Sequence, residues 1–469
     1  MAHLLPNRRS ILRIVLLFAA AVLFLLPTSA HQALAHNSYQ EGSPRQGEVL
    51  TTSPTTWTAV FAKSVPLESV SGEIIDGSGV RTQLTAPRHG DSDSVVIFDL
   101  PPALMGTITA RWRLVGTDGH VVSGRLSFLI QSTTTLPPTT IPVSTAPSTN
   151  SEAVTIPSTT IGISPSTVEV TGDEEITSAP EPIRVALRFT NYFALIVVGG
   201  LLFTEWFIAK GSATTVMGRR LLLSGLIGST IVPIITFLIF VNDLRLPGES
   251  YSGAVSTALS LTPGLMLIFR TVSGVAAGVI VGLSEQKRGF DNAVISYTSA
   301  VMVMYAIALA FGGHSRSQSA PWIGIPADVL HTAGVSVWLG GLVAMLMVVI
   351  PAVQIEQAIT AFRRFGRAAE RAVAVIIITG LIQTVRLHGD VVSFFQSSHG
   401  LLLILKISAV TLMLRLAVRN RVLLNTKRLQ SDNRIAQTKA ALVRASLIEI
   451  AFGGAVIGVT SVLVSVTPG

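Results

Sequence analysis

The sequence predicts an exported all-β sandwich or barrel followed by an all-α membrane domain of eight spanning helices. Three observations predict that fold class. The 469 residues are 49% hydrophobic and only 13% charged, with a mean hydropathy of +0.59, too apolar for a soluble chain of this length. Apolar windows of bilayer-spanning length recur from residue 183 to the C-terminus. Ahead of them, residues 36–130 show short alternating runs broken by turn residues, the period of half-buried strands.

The chain opens with a leader. Arg8, Arg9 and Arg13 precede an apolar run from Ile14 to Leu26, then Pro27 and small residues, the layout of a secretory signal. The run is too short to span a bilayer comfortably. Two positions obey the small-x-small preference for cleavage, after Ala30 and after Ala35. Either cut leaves a histidine, His31 or His36, as the first residue of the mature chain.

The β domain follows over residues 36–131. Its runs "TWTAVFA", "SGEIIDGSG", "SVVIFDL" and "TITARWRLVGTDGHVVSGRLSFLI" alternate with Asp-Gly and Gly-Ser-Gly punctuation, which reads as antiparallel strands. In the last run "TDGH" interrupts two good strands. A hairpin turn accounts for Asp118 and Gly119 and leaves His120 unexplained. Side chains two apart on an extended chain point the same way, so Asp118 and His120 can aim a carboxylate and an imidazole at one point. A free α-amino group beside its own imidazole forms a chelate ring. With Asp118 and His120 it would complete the nitrogen and oxygen set that Cu(II) prefers, and removal of the leader would create the site. The chain has no cysteine, so thiolate sites and disulfides are excluded.

At these residues the chain resembles the copper-binding CopC family. "HNSYQEGSPRQGEVL" is similar to that family's opening and "ITARWRLVGTDGHVVSGRLSFLI" to its closing stretch. The resemblance implies a Greek-key β domain, favours cleavage after Ala35, and carries the family's Cu(II) ligands onto His36, Asp118 and His120. A methionine-rich Cu(I) site is not expected, because Met105 is the single methionine of this domain.

Residues 132–182 are rich in Thr, Ser and Pro and read as a disordered tether with an extended reach of about 150 Å. It would let the β domain visit the membrane surface without being docked there. The eight spans lie near Ile183–Phe207, Leu221–Val241, Pro263–Leu283, Ala293–Phe311, Ala327–Ile350, Ala372–Val385, Leu401–Leu416 and Leu447–Val466, within a membrane domain of residues 183–467. The apolar cores of the sixth and seventh are short and need flanking residues to span. With the β domain outside, seventeen lysines and arginines flank the inner ends, and five, Arg184, Arg188, Arg245, Arg316 and Arg386, flank the outer ends. That bias is the positive-inside pattern, and it places both the N-terminal domain and the C-terminus on the extracytoplasmic side. It also accounts for the net charge of +8 and the pI near 10.2 without a nucleic-acid partner.

The same topology puts His314, His331, His388 and His399 near the outer face. His331 begins the fifth span, seven residues before Trp338 and on the same helical face. An imidazole inside a span marks a functional candidate, and a bond to a neighbouring helix carbonyl is the structural alternative. Gly340 and Gly341 suit close helix packing. This half resembles the CopD family in "GGHSRSQSAPWIGIPADVLHTAGVSVWLGGL", "RRFGRAAERAVAVIIITGLIQ" and "HGLLLILKISAVTLMLRLAVRNR". His314 and His331 match its recurrent histidines, whereas His388 and His399 read as solvated loop residues. Arg270 and Lys406 inside spans, and Glu205 and Glu449 toward inner ends, either pair internally or line a wet path. Met302, Met304, Met345 and Met347 either pass Cu(I) or simply pack.

The expectation is a fused CopC and CopD protein of copper homeostasis and resistance, not an enzyme. Its exported domain would capture Cu(II), and its membrane domain would move copper inward past His314 and His331. Copper ions, the lipid membrane and other copper-handling proteins are the expected partners. The rivals are a copper oxidase built on the N-terminal histidine and a haem-binding electron carrier. Energy coupling and oligomeric state leave no mark in the sequence.

Overall fold

The computed structural model describes residues 39–116, 121–131, 180–245, 249–287, 291–313, 316, 320–387, 398–423 and 432–464. The leader, His36, Asp118, His120, most of the tether, His314 and His388 lie outside the described residues.

The strands are β1 (Tyr39–Ser43), β2 (Val49–Leu50), β3 (Thr56–Phe61), β4 (Ser71–Ile75), β5 (Arg81–Leu84), β6 (Arg88–His89), β7 (Val95–Asp99), β8 (Gly106–Val115) and β9 (Val121–Ile130). They form two open sheets, β1-β3-β7-β6 and β2-β9-β8-β4-β5, so of the two architectures expected the sandwich is the one adopted. One pairing departs from the antiparallel expectation, since β2 runs parallel to β9.

Period two decides which side chains enter the core. Trp57, Ala59 and Phe61 of β3 face Ile108, Ala110, Trp112 and Leu114 of β8 and Leu126, Phe128 and Ile130 of β9, all buried. Trp57 stacks on Phe98 with ring centroids 4.7 Å apart. Each such side chain contributes about 1.5–3 kcal/mol on burial. Trp112 faces Gly124 across the β8–β9 ladder, and its indole occupies the space that a Cβ on Gly124 would need.

The helices are α1 (Glu181–Phe203), α2 (Val216–Leu244), α3 (Tyr251–Ser260), α4 (Thr262–Lys287), α5 (Asn292–Phe311), α6 (Pro321–Val335, continuing to Ala352), α7 (Ile355–Leu387), α8 (Ser398–Leu423) and α9 (Asp432–Leu463). Among the described residues, seven are long and apolar enough to cross a membrane: α1 extended to Ile208, α2, α4, α5, α6, α7 and α9. Helix α8, the expected seventh span, is not among them. Helix α1 starts at Glu181, ahead of the expected boundary at 183, because Pro180 precedes it and Pro182 suits a first turn.

Flanking residues complete the sixth span, as its short apolar core requires. Helix α7 begins at Ile355, and Ala358, Ala361, Phe362, Phe365, Ala369, Ala372 and Ile376 are buried along one face, so an apolar stripe carries the helix well beyond its purely apolar stretch. Helix α6 contains two π turns, Ser336–Gly340 and Met345–Val349. Gly200 of α1 and Gly340 of α6 meet backbone to backbone, leaving no room for a Cβ on either. The expected close packing at Gly340 is therefore present, with α1 as the partner.

The β domain is docked, contrary to the expectation of a freely visiting domain. Val115 of β8 is buried in one apolar cluster with Phe240, Val241 and Leu244 of α2 and Ala254 and Ala258 of α3, and Val121 of β9 packs against it. Burial of these valines holds the sandwich on the helical domain whatever the length of the connecting chain.

Candidate functional site

In the β domain the site is approached from its framework. Tyr39, three residues after His36, lays its ring on Trp112 with centroids 4.6 Å apart and meets Phe61 edge-on at 6.1 Å. Trp112 stands three residues before the end of β8, the strand that leads toward Asp118 and His120. Val115 and Val121 face each other as the last pair of the β8–β9 ladder. The Ser69 hydroxyl accepts from the Val115 amide at 3.3 Å and lies 2.9 Å from the Val115 carbonyl, which pins that end. The start of β1, at Tyr39, thus lies against Trp112 near the outgoing end of β8. Among the described residues no three His, Cys, Asp or Glu side chains form a metal-holding group.

In the helical domain His331 sits on α6 and faces α7. Its Nδ1 lies 2.9 Å from Thr379 Oγ1. The Thr379 hydroxyl also reaches the Val375 carbonyl at 2.7 Å and the Ile376 carbonyl at 3.2 Å, and the Ile376 carbonyl is itself a partner of the His331 ring. The bond to a neighbouring helix carbonyl, the structural alternative expected for His331, is thus present on α7 beside the contact with Thr379. An imidazole with one nitrogen held by an oxygen is oriented as metal-binding histidines are.

Lys406 of α8 lies within electrostatic reach of both His331 and Asp328. Asp328, one turn before His331 on the same face of α6, also acts on Tyr192 and Arg386. Lys406 thus has an acidic group within electrostatic reach, the kind of partner considered for it.

The other singled-out residues divide clearly. Arg270 donates to Asn191 Oδ1 at 3.0 Å and lies over the Tyr305 ring, 5.4 Å from its centroid. Tyr305 also donates to Asn191. These contacts knit α1, α4 and α5 together. Glu205, on the π turn that ends α1, accepts from the Gly211 and Ala213 amides, both at 2.7 Å, and from the Ser212 hydroxyl at 3.1 Å. It is a structural carboxylate that closes the α1–α2 turn. Glu449 is buried on α9.

Met302 and Met345 are packed in separate apolar clusters, while Met304 and Met347 are exposed on helix surfaces. No shared line of methionines joins them. His399 corrects the expectation of a solvated loop histidine, because it lies in the first turn of α8 and is buried. The sequence reading missed Thr379, Asn191, Tyr305 and Asp328. Asp328 carried a signal in its three-residue spacing from His331.

Comparison with known proteins agrees with this division. Residues 39–131 match the family described as "CopC domain", and residues 359–463, spanning most of α7 to the end of α9, match "Copper resistance protein D", the CopD family. One chain thus carries both a CopC match and a CopD match. It is 24% identical over 465 residues to "Copper transport protein CutJ" of Bacillus subtilis (strain 168), which covers 93% of this chain and 76% of that one. It is 26% identical over 264 residues to "Copper resistance protein D" of Pseudomonas syringae pv. tomato, covering 52% of this chain and 83% of that one.

Among solved structures, CopC from Methylosinus trichosporium OB3b is similar at 22% identity and a TM-score of 0.20, covering 22% of this chain and all of that one. PcoC, a methionine-rich copper resistance protein from Escherichia coli, follows at 17% and 0.19, covering 21% of this chain and all of that one. CopC and CopD family members are copper-binding and copper-transport proteins, not enzymes, which sets aside the oxidase reading. The matched CopD stretch includes Thr379 and Lys406 and stops short of His314 and His331.

Proposed function

We propose that the CopC domain captures Cu(II) outside the cell membrane, at the amino terminus, His36, Asp118 and His120, and that the CopD domain moves copper inward past His331. Membership of the two copper families supports a copper transport or resistance role in general. The observation that carries the finer reading is the Tyr39 ring lying on Trp112, which supports convergence of the mature N-terminus with the end of β8. His331, held by Thr379, is the residue assigned to accept copper within the helices, and His314 is assigned to the same route. Helix α8 is assigned as an eighth span, which returns the C-terminus to the outer side with the CopC domain.

Copper accumulation by cells expressing the full chain tests this reading. His36→Ala and His331→Ala should each lower uptake by about tenfold or more. Accumulation undiminished in both variants would contradict the proposed route.

A further inference from the structure

Arg113 stands on the face of its sheet that points away from the β core, between Arg111 and Val115 on the same side. An arginine there ordinarily reaches water. Its side chain is only 2% exposed. The helical domain helps to cover it: one guanidinium nitrogen donates to Glu249 Oε2 at 2.9 Å, and the other donates to Ser71 Oγ at 2.9 Å. Burial pulls the Arg113 guanidinium below its ordinary range, and the facing Glu249 carboxylate opposes that shift.

Glu249 sits just ahead of α3, where its carbonyl accepts from Arg245 Nε at 3.0 Å and Ser250 caps the helix. Beside this ion pair, Val115 and Val121 present an apolar patch on the same outer face and cover it with α2 and α3. A desolvated ion pair next to an apolar patch is how a specific interface fixes register: the valines supply burial, and the charges reject other alignments.

We propose that the outer face of the β2-β9-β8-β4-β5 sheet is a dedicated dock for the α2–α3 end of the same chain, with Arg113 and Glu249 as its registering pair. The dock holds the two strands flanking residues 117–120 against the membrane domain, so copper passes between domains without the CopC domain leaving on its tether. The docking rests on the contacts themselves. Its use for transfer rests on the function proposed above.

The absence of native cysteine makes a clean test available. In the full-length protein in membranes, Val121→Cys and Phe237→Cys are joined by a short bismaleimide, and the crosslinked fraction is read in four backgrounds: otherwise unchanged, Arg113→Glu, Glu249→Arg, and both changes together. Breaking a buried pair strands the remaining charge, so each single change should lower the crosslinking rate by about tenfold, and the charge exchange should restore most of it. Bound Cu(II), followed by its paramagnetic resonance in the same four backgrounds without the two cysteines, should be the same throughout, which separates lost docking from a misfolded β domain.

Equal crosslinking in all four backgrounds, or no recovery in the exchanged pair, overturns the dock. Normal copper uptake by a variant with lost crosslinking overturns its role in transfer. Crosslinking as expected in a protein that holds no Cu(II) leaves the dock standing and removes the function proposed for the CopC site.

Discussion

At the scale of single residues, the chemistry turns on a hydroxyl. Thr379 Oγ1 lies 2.9 Å from His331 Nδ1, so its hydroxyl helps to orient the ring. Thr379→Ser preserves that contact and should leave copper uptake near normal. Thr379→Val removes the hydroxyl and should lower uptake by about 10–100-fold while the protein still inserts. Nitrogen chemical shifts of selectively labelled histidine would show the change directly, as a displacement of the His331 ring nitrogens in the valine variant only. Identical shifts in both variants would remove Thr379 from its positioning role. His331 was legible in the sequence because an imidazole inside an apolar run is conspicuous. Thr379 was not, because a threonine that satisfies itself on its own helix carbonyl is common in spans.

At the scale of elements, the glycines report where backbones must touch. Gly200 of α1 and Gly340 of α6 have no room for a side chain, so Gly200→Leu should separate the two helices and sharply reduce the folded, membrane-extracted yield. In the sandwich, Gly124→Val collides with the Trp112 indole and should cost about 1–3 kcal/mol or more of stability, read as a lower denaturation midpoint. Wild-type yield and midpoint in these variants would contradict the packing described. Most elements were legible from periodicity alone, since strands with clean alternation and helices with apolar windows announce themselves.

The elements that escaped share a physical reason. Helix α3 is short and small-sided, held by the Ser250 cap and by its cover under Val115. The first half of α7 is amphipathic, with Phe362 and Phe365 buried and Arg363 and Arg364 turned outward, so a window that averages hydropathy passes over it. The close parallel pairing of β2 with β9 spans only two residues, too short a segment for any pattern to show.

At the scale of the whole molecule, a chain that reads as two domains joined by a long tether is instead a docked unit. The clue was present in sequence. Val115 and Val121 break the polar alternation on an outward face, and an apolar pair on a solvent face asks for a cover. What the sequence could not supply was the identity of that cover, because nothing local in "VVSG" points to Phe240 or Leu244. Likewise, the ligand set proposed at Asp118 and His120 draws on residue type and spacing, whereas the proposed convergence with the N-terminus draws on the long-range contact between Tyr39 and Trp112.

That convergence is the central claim, and electron paramagnetic resonance of Cu(II) on the processed full-length protein tests it most directly. The account predicts one tetragonal Cu(II) per chain with nitrogen hyperfine structure that is lost or simplified in His36→Ala, in His120→Ala, and in protein carrying any residue ahead of His36. An unchanged Cu(II) spectrum in all three would contradict it.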